Sequence, residues 1–168
     1  NNLMKAIAVI SSNTSAIAVA EALWGSKEKC VEEMNITALK LGMKRTHFET
    51  VNGFPIRPGI DADKTTGEDM GILAKECCSL STIFQWTSIT EFTLPGGNIT
   101  RKNTNNLLYE FYGCDGLKTG YTRSAGHCIV ATAKRANKRV ISIVMGAKTS
   151  HERFTIAKNL LEIGFADG

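Results

Sequence analysis

The order of apolar and polar positions predicts that helices dominate the first half of the chain. Apolar residues recur at helical spacing over residues 3–10 and 14–24, and the polar triplet 11–13 separates these two segments. The second segment is apolar almost all round, which is typical of a buried, central helix. Gly25 ends it, Ser26 can cap the next helix, and helical spacing continues that third helix to residue 42.

A long segment without periodicity follows, over residues 43–64. It contains the turn sequence Asn52-Gly53 and two prolines. Loops of about 20 residues are uncommon unless they are functional, so this one is expected to border a binding site. The sequence Thr65-Thr66-Gly67-Glu68 resembles a capping box and predicts a helix that ends near Ser79.

The second half of the chain predicts an antiparallel sheet. A short strand is expected over residues 88–94, and a polar stretch at 101–106 follows it. Residues 126–133 and 139–146 are β-branched and apolar, which predicts a hairpin with a basic turn between its strands. A last helix is expected over residues 150–163, with Phe154, Ala157, Leu160 and Leu161 on one face and Gly164 after it. Helices followed by a late sheet and a final helix indicate one α+β domain over residues 1–168.

Composition excludes several classes of protein. Of the 168 residues, 43% are hydrophobic and 21% are charged, which is ordinary for a globular domain and unlike a disordered chain. The net charge of +4 is too small to indicate nucleic-acid binding. The basic residues of the 134–139 cluster are interpreted as a solvated hairpin tip, and no apolar run is long enough to predict a membrane span.

The cysteines and histidines do not predict a metal site. The five cysteines include no CxxC pair, which argues against zinc and favours free thiols. His47, His127 and His151 are far apart and have no second ligand at metal spacing. The sequence therefore predicts neither a metal nor a cofactor.

Two short motifs carry the candidate chemistry, Ser11-Ser12-Asn13 and Lys118-Thr119-Gly120. Each is common on its own, since a polar turn between helices is an ordinary cap. In this order, they match two of the three elements of the serine penicillin-binding and β-lactamase superfamily. The segments that narrow the resemblance are residues 41–48, 65–74, 115–122, 125–126 and 157–165.

On these motifs, nearly the whole chain resembles the low-molecular-mass D-alanyl-D-alanine carboxypeptidases, penicillin-binding proteins of the penicillin-binding-protein-5 type. The resemblance implies an incomplete penicillin-binding, β-lactamase-like transpeptidase fold. It also implies a hydrolase of bacterial cell-wall synthesis that removes the terminal D-Ala from peptidoglycan stem peptides through an acyl-enzyme and that binds β-lactam antibiotics. Its place would be outside the cytoplasm, where a Cys114–Cys128 disulfide is an alternative to free thiols.

The resemblance implies a role for each motif residue. Ser11 would relay a proton to the departing D-Ala nitrogen, and the ammonium group of Lys118 would stabilise anionic neighbours. The side-chain amide of Asn13 would hydrogen-bond the substrate peptide and orient the lysine that acts with the nucleophile.

Four further residues are implied in substrate binding. Residues 118–120 look like an edge strand to which the peptide adds, with Gly120 leaving room for close approach. Thr119 would bind the terminal carboxylate through its hydroxyl, and the backbone N–H of Tyr121 would be an oxyanion donor. Arg153 is placed where it could address the substrate carboxylate, and a surface arginine at a helix start is the alternative.

The sequence departs from the family pattern at one point, since no SxxK motif precedes Ser11. Ser26 and Lys29 have the right spacing, but they follow the first motif and begin a helix among charged residues, so we interpret them as a coincidence. We therefore expect the nucleophile, its lysine and the first strands of the sheet to be supplied by an N-terminal segment or a second chain. Alone, this chain would then be inactive.

Two other functions stay open at this stage. A class A β-lactamase would need a deacylating glutamate in an ExxLN motif, and Glu49-Thr50-Val51-Asn52 is one residue short of it. A binding relative without catalysis would use Asn13, residues 118–120 and Arg153 to bind cell-wall peptide.

Overall fold

The structure is a computed structural model that describes residues 1–54 and 63–167. Helices form most of the first half, and the main sheet is formed late in the chain, as the sequence predicts. The helices are α1 (Asn2–Ile10), α2 (Asn13–Trp24), α3 (Lys27–Leu41), α4 (Gly67–Ser79), α5 (Phe84–Thr87), α6 (Leu107–Glu110) and α7 (Ser150–Ala166). The strands are β1 (Glu91–Thr93), β2 (Thr100–Lys102), β3 (Cys114–Thr122), β4 (Gly126–Arg135) and β5 (Lys138–Ala147).

Side-chain caps fix the starts of the longer helices. The hydroxyl of Ser26 accepts a hydrogen bond from the backbone N–H of Lys29 at 3.2 Å, which confirms the predicted cap of α3. The start of α4 is also confirmed, although its cap is Thr66, whose hydroxyl accepts from the backbone N–H of Asp69. These caps satisfy N–H groups that have no partner within the helix.

The predicted burial of α2 is wrong. Ser15 and Ala20 are its buried residues, while Leu23 is 69% exposed and Trp24 is 40% exposed. An apolar sequence shows what a helix could bury, but burial depends on the elements that surround it. Here α2 packs mainly against α1 and α3, so part of its apolar surface stays uncovered.

The main sheet is antiparallel with the strand order β3-β4-β5, so β3 and β5 are its edges. This confirms the predicted hairpin of β4 and β5, and the edge position expected for residues 118–120 on β3. Helix α7 packs on β4 and β5, and α4 packs on β5. The largest core cluster lies between the sheet and α7 and contains Leu107, Phe111, Ile129, Ala131, Ala133, Val144, Ala147, Phe154, Ala157 and Leu161.

Helix α7 continues past the predicted end at residue 163. Gly164 lies within it, and a Cβ atom at this position would come within 2.5 Å of Val140 Cγ1. The glycine therefore permits close packing of α7 on β5 instead of ending the helix. Leu160 was predicted to share the buried face but is 40% exposed.

A second, smaller sheet pairs β1 with β2. The predicted strand over residues 88–94 is thus confirmed as a shorter element. Its partner β2 lies in the polar stretch for which no strand was predicted, because all three of its residues are exposed. Phe92 of β1 packs against Ala6 and Val9 of α1, and this contact holds the small sheet next to the first motif.

The hairpin tip is less solvated than the sequence suggests. Arg139 donates from both terminal nitrogens to the two carboxylate oxygens of Asp115, each at 2.7 Å. Arg135 pairs with Glu162 on α7 and lies over the ring of Phe165 at 4.3 Å. Both arginines tie the hairpin to other elements, so the interpretation of a solvated tip is wrong for them.

All five cysteines are free thiols. Cys128 is opposite Gly120, and Cys114 is opposite Ala133. Positions 128 and 133 are therefore about 17 Å apart along β4, whereas a disulfide needs Cα atoms within about 7 Å. This geometry excludes the alternative pairing of Cys114 with Cys128.

Within residues 1–54 and 63–167, no group of three or more His, Cys, Asp or Glu side chains could hold a metal ion. In the same ranges, no helix combines the length and the apolar character needed to cross a membrane.

Candidate active site

The first motif forms the turn between α1 and α2. Ser11 ends α1 in the left-handed conformation, with φ 54° and ψ 44°, which is an uncommon state for a residue with a side chain. The hydroxyl of Ser12 caps α2 by accepting from the backbone N–H of Ser15 at 3.2 Å. Asn13 is the first residue of α2. The turn thereby places Ser11 and Asn13 at the edge of one cavity.

Lys118 brings the second motif to the first. Its Nζ donates to Ser11 Oγ at 2.9 Å, across 107 positions of sequence. The same nitrogen donates to the carbonyl oxygen of Thr119 at 2.7 Å. Burial lowers the pKa of Lys118 to about 8, and the nearby positive charge of Arg153 lowers it further in the same direction. The structure thus joins the two motifs by a charged hydrogen bond in a partly desolvated setting.

The cavity at this contact has a volume of about 760 Å³. Ser11, Asn13 and Lys118 form part of its polar wall. Another wall is apolar and consists of Met70, Val130, Ile143, Val144 and Met145. Asn52, Gly53, Phe54, Asp63 and Lys64 also line it, which confirms for the described part of the 43–64 segment that it borders the site; residues 55–62 lie outside the described residues.

Thr119 also lines this cavity, and a threonine that the sequence did not single out holds its side chain. Thr119 Oγ1 donates to Thr104 Oγ1 at 2.7 Å. The backbone N–H of Thr104 in turn donates to the carbonyl oxygen of Val9 at 3.0 Å. Thr104 therefore connects α1 to β3 beside the site. In the sequence it is one polar residue in the polar 101–106 stretch, with no signal of its own.

Two buried asparagines in the same stretch support the backbone near the site, Asn105 that at the start of β3 and Asn103 that before β1. Asn103 Nδ2 donates to the carbonyl oxygen of Ile89 at 2.7 Å. Asn105 Nδ2 donates to the carbonyl oxygen of Gly116 at 3.1 Å. Both residues are at most 5% exposed, so they satisfy backbone groups that water cannot reach. The repeated asparagine in Asn103-Thr104-Asn105 is the sequence signal that could have indicated this support.

Gly120 and Tyr121 continue β3 along the mouth of the cavity. A Cβ atom at Gly120 would find Cys128 Cβ at 4.0 Å as its nearest neighbour, so space is open beside this position. Tyr121 is 63% exposed and stacks on His127, with 4.3 Å between ring centroids. Its backbone lies on the strand as expected, while its ring is part of the outer rim.

Arg153 lies under the sheet and is buried, so the alternative of a surface arginine is wrong. Its Nη1 donates to the carbonyl oxygens of Gly120 and Cys128, both at 3.2 Å. Its Nη2 donates to Ser150 Oγ, and its buried Nε has no hydrogen-bond partner among the described residues. Desolvation lowers the pKa of the guanidinium. The described residues that line the cavity do not include Arg153, so its charge acts from behind β3 and β4.

Of the remaining candidates, Ser26 and Glu49 are not among the described residues that line the cavity at Lys118. Ser26 caps α3, in agreement with its interpretation as part of a helix start. Glu49 lines a neighbouring groove, and it is not among the described residues that line the cavity at Ser11. Asn52 lines both.

The sequence is similar to a known protein family and to curated proteins of bacteria. A family model described as D-alanyl-D-alanine carboxypeptidase matches residues 1–149. D-alanyl-D-alanine carboxypeptidase DacF of Bacillus subtilis is 36% identical over an alignment of 173 residues, gaps included, that covers 98% of this chain and 42% of that protein. D-alanyl-D-alanine carboxypeptidase DacC of Escherichia coli is 37% identical over 166 residues, which cover 98% of this chain and 40% of that protein. The chain thus spans about two fifths of the length of these curated relatives.

Solved structures have the same arrangement of helices and strands. Penicillin-binding protein D2 from Listeria monocytogenes, in its ampicillin-bound form, superposes with a TM-score of 0.87 at 36% identity and covers 98% of this chain and 66% of that one. Penicillin-binding protein 5 from Haemophilus influenzae superposes with a TM-score of 0.88 at 34% identity, covering 98% of this chain and 47% of that one. The fold is therefore that of the penicillin-binding proteins, present in part.

Proposed function

Because this chain belongs to the D-alanyl-D-alanine carboxypeptidase family, we propose that it forms most of the substrate site of a serine carboxypeptidase. The reaction removes the terminal D-Ala from peptidoglycan stem peptides through an acyl-enzyme, and β-lactams acylate the same serine. The observation that carries this proposal is the 2.9 Å hydrogen bond from Lys118 Nζ to Ser11 Oγ at the wall of a cavity. It unites two motifs whose residue types suit acyl transfer.

Each group of the site has a role in this reaction. The hydroxyl of Ser11 passes a proton to the departing D-Ala nitrogen, and the Lys118 ammonium supports the charge that develops beside it. Asn13 donates a hydrogen bond from its side-chain amide N–H to the acyl side of the peptide, which is the part that precedes the scissile bond. The backbone N–H of Tyr121 binds the oxyanion, and Gly120 allows the peptide to lie close to β3.

The terminal carboxylate of the substrate is assigned to the Thr119 side of the cavity. When substrate binds, the Thr119 hydroxyl donates its hydrogen bond to the carboxylate instead of to Thr104 Oγ1, because a hydroxyl has only one proton to donate. Lys118 and the buried Arg153 provide a positive field around the same place. Arg153 acts there at a distance, because its two terminal nitrogens are already hydrogen-bonded to Gly120, Cys128 and Ser150.

The nucleophile is proposed to come from a segment that carries an SxxK motif, because no SxxK precedes Ser11. A serine and a lysine three positions apart on a helix are neighbours on one face. We propose that a helix of this kind packs at the cavity, with its apolar residues against Val130, Ile143 and Met145 and its serine toward Ser11 and Lys118; the apolar lining of the cavity supports this arrangement. The proposal allows the segment to be covalently continuous with this chain or a separate chain.

The relatives named above come from bacteria, and a peptidoglycan substrate places the reaction outside the cytoplasm. We therefore propose an extracytoplasmic location in a bacterium. The partners are the stem peptide and β-lactam antibiotics.

The test is covalent labelling by a fluorescent penicillin together with the intact mass of every polypeptide in the sample. We expect the label on the SxxK serine when this segment is present and no label on this chain alone. Label on Ser26 would contradict the assignment of that residue to a helix cap.

Two outcomes would replace the proposal with one of the other functions. Peptide binding without acylation, in protein that contains the SxxK segment, would indicate a binding relative. Rapid release of hydrolysed penicillin would indicate a β-lactamase.

A further inference from the structure

A second groove lies beside the candidate active site, with a volume of about 710 Å³. One wall is a single face of α3 that presents Lys27, Val31 and Asn35 at helical spacing. The other wall is the backbone segment 47–54, and Ile17 of α2 contributes to the lining. The motifs and the proposed mechanism do not use this groove.

Hydrogen bonds fix the loop wall of this α3 groove at two places. The side chain of Asn35 donates to the carbonyl oxygen of Phe48 at 2.7 Å and accepts from the backbone N–H of Phe48 at 2.8 Å. The carboxylate of Asp63 accepts from the backbone N–H groups of Glu49 and Thr50, and from the Thr50 hydroxyl at 2.7 Å. The groove is therefore formed before any ligand arrives, which reduces the entropy lost on binding.

The α3 groove adjoins the cavity that contains Ser11 and Lys118. Asn52 and Phe54 line both spaces. On α2, Asn13 lines the cavity and Ile17 lines the groove. These two positions are one helical turn apart, or about 6 Å along the axis. A peptide residue spans about 3.4 Å, so two residues of an extended peptide bridge this distance.

We infer that the α3 groove binds the residues of the peptide substrate that precede the scissile bond. This inference rests on the proposed function, which places the terminal carboxylate near Thr119 and the acyl side of the peptide near Asn13. A peptide in this direction leaves the cavity past Asn13 and reaches the groove within two residues. The groove is thus a specificity site for the upstream part of the substrate.

The charge of the groove indicates which upstream side chain it favours. Among the described residues that line it, three are acidic (Glu28, Glu32 and Glu49) and one is a lysine (Lys27). An upstream side chain that ends in an ammonium group complements this excess, and an acylated amine of similar length does not. Val31 and Ile17 offer apolar surface for the methylene groups of such a side chain.

The experiment compares three substrates on the active protein, meaning this chain together with its SxxK serine. They are acetyl-D-Ala-D-Ala, acetyl-Lys-D-Ala-D-Ala, and the same tripeptide with its lysine side chain acetylated. We expect kcat/KM to be highest for the tripeptide with the free ammonium group. Its advantage over the acetylated tripeptide should be about two- to fivefold, the range of an exposed ion pair.

Variants then assign this preference to the groove. Val31→Trp fills the groove and should lower the kcat/KM ratio of tripeptide to acetyl-D-Ala-D-Ala about tenfold. Glu32→Lys should reverse the preference for the ammonium group. Glu33→Gln is the matched control, because Glu33 is exposed on α3 outside the groove, and both ratios should stay unchanged.

Failure of this inference is distinguishable from failure of the proposed function. If acetyl-D-Ala-D-Ala is cleaved but Glu32→Lys leaves the preference unchanged, the groove does not bind the substrate. Equal rates for the two tripeptides with the unmodified protein also overturn the inference. If no substrate is cleaved and no penicillin label forms, the proposed function itself is wrong.

Discussion

At the residue level, Lys118 must keep a positive charge in an environment that disfavours one. Its ammonium group is needed beside Ser11, yet it is buried and near a second cation, Arg153. No described carboxylate forms a salt bridge with either of them. The two hydrogen bonds to Ser11 and Thr119 do not fully offset this cost, so the pKa of Lys118 is lowered to about 8.

The first prediction is that acylation by penicillin slows as the pH rises through about 8, because Lys118 then loses its proton. Lys118→Arg should keep its charge and hold the rate constant to higher pH, at a lower plateau because the guanidinium is wider. The measurement is the second-order labelling rate from pH 6 to 10 for both proteins. A decline at the same pH in both would assign the titration to another group.

The second prediction concerns stability. A shift from 10.5 to about 8 corresponds to roughly 3 kcal/mol against the folded state while Lys118 is protonated in both states. Between pH 8 and 10.5 the unfolded chain binds more protons, so the free energy of unfolding rises with pH across this window. Lys118→Met, which removes the charge, should be more stable at pH 7.5 and lack this part of the rise.

The measurement is urea unfolding of both proteins at pH 7.5 and pH 10. Other groups titrate in this range, but they are common to both proteins, so the difference between the two curves isolates Lys118. A Lys118→Met protein that is less stable at pH 7.5 would show that the hydrogen bonds of Lys118 outweigh its desolvation.

The third prediction tests Thr104, the residue that the sequence did not indicate. Thr104→Val keeps the shape but removes the partner of the Thr119 hydroxyl, and should lower the free energy of unfolding by about 1 kcal/mol. Acylation should slow about fivefold if the same energy is lost in positioning Thr119. Thr100→Val is the matched control, since Thr100 shares a 2.9 Å hydroxyl contact with Thr93 on the exposed small sheet. If the two variants changed stability and acylation equally, Thr104 would have no special role in positioning Thr119.

At the level of elements, the sequence predicts most of what periodicity and caps determine. Helices α1 to α4 and the hairpin of β4 and β5 follow from apolar spacing, and Ser26 and Thr66 mark two helix starts. Strand β2 could not be predicted in this way, because Thr-Arg-Lys has no apolar position and pairs only through its backbone. The predicted burial of α2 was too high. Its apolar pattern shows which residues could be buried, but it does not show which other elements pack against the helix.

The candidate site was predictable where a motif exists and not where support comes from other elements. Ser11 and Lys118 were identified from short motifs, and the structure brings them to 2.9 Å. The burial of Arg153 was not visible, because α7 shows the same sequence whether its arginine faces solvent or the sheet. Only the packing of α7 on β4 places this guanidinium under Gly120 and Cys128.

The fourth prediction compares two ion pairs that hold the sheet to its surroundings. Arg139 on β5 reaches across β4 to Asp115 on β3, and both side chains are less than a quarter exposed, at 21% and 23%. The pair of Arg135 and Glu162 is more exposed, at 28% and 52%. Asp115→Ala should cost about 2 kcal/mol, because it leaves a partly buried guanidinium without its partner, whereas Glu162→Ala should cost less than about 1 kcal/mol.

Urea unfolding of the two variants at low and high salt distinguishes these pairs. Added salt should reduce the already small effect of Glu162→Ala more than that of Asp115→Ala, since screening acts mainly on exposed charges. An effect of Asp115→Ala as small as that of Glu162→Ala would show that the shape of the hairpin, and not its charges, joins β3 to β5.

In the whole molecule, the cavity beside Ser11 has an apolar wall that is partly exposed to solvent. Met145 is 44% exposed on this wall. Apolar surface of this kind beside a polar site favours association with another segment, which would also protect the free edge of β5. Binding of the SxxK segment to the folded state alone would raise the stability in proportion to the logarithm of its concentration.

The fifth prediction is that Met145→Asp weakens this association. A carboxylate buried against an apolar helix should weaken binding by about 2 kcal/mol or more, or roughly thirtyfold, because it cannot be hydrated there. Penicillin labelling at a limiting concentration of the segment should fall accordingly, and the segment should no longer raise the melting temperature. Leu39→Asp is the control, since Leu39 is 71% exposed on α3 and does not line the cavity. If both variants bind the segment equally well, the SxxK helix does not lie against this wall, and the serine must reach Ser11 and Lys118 from another direction.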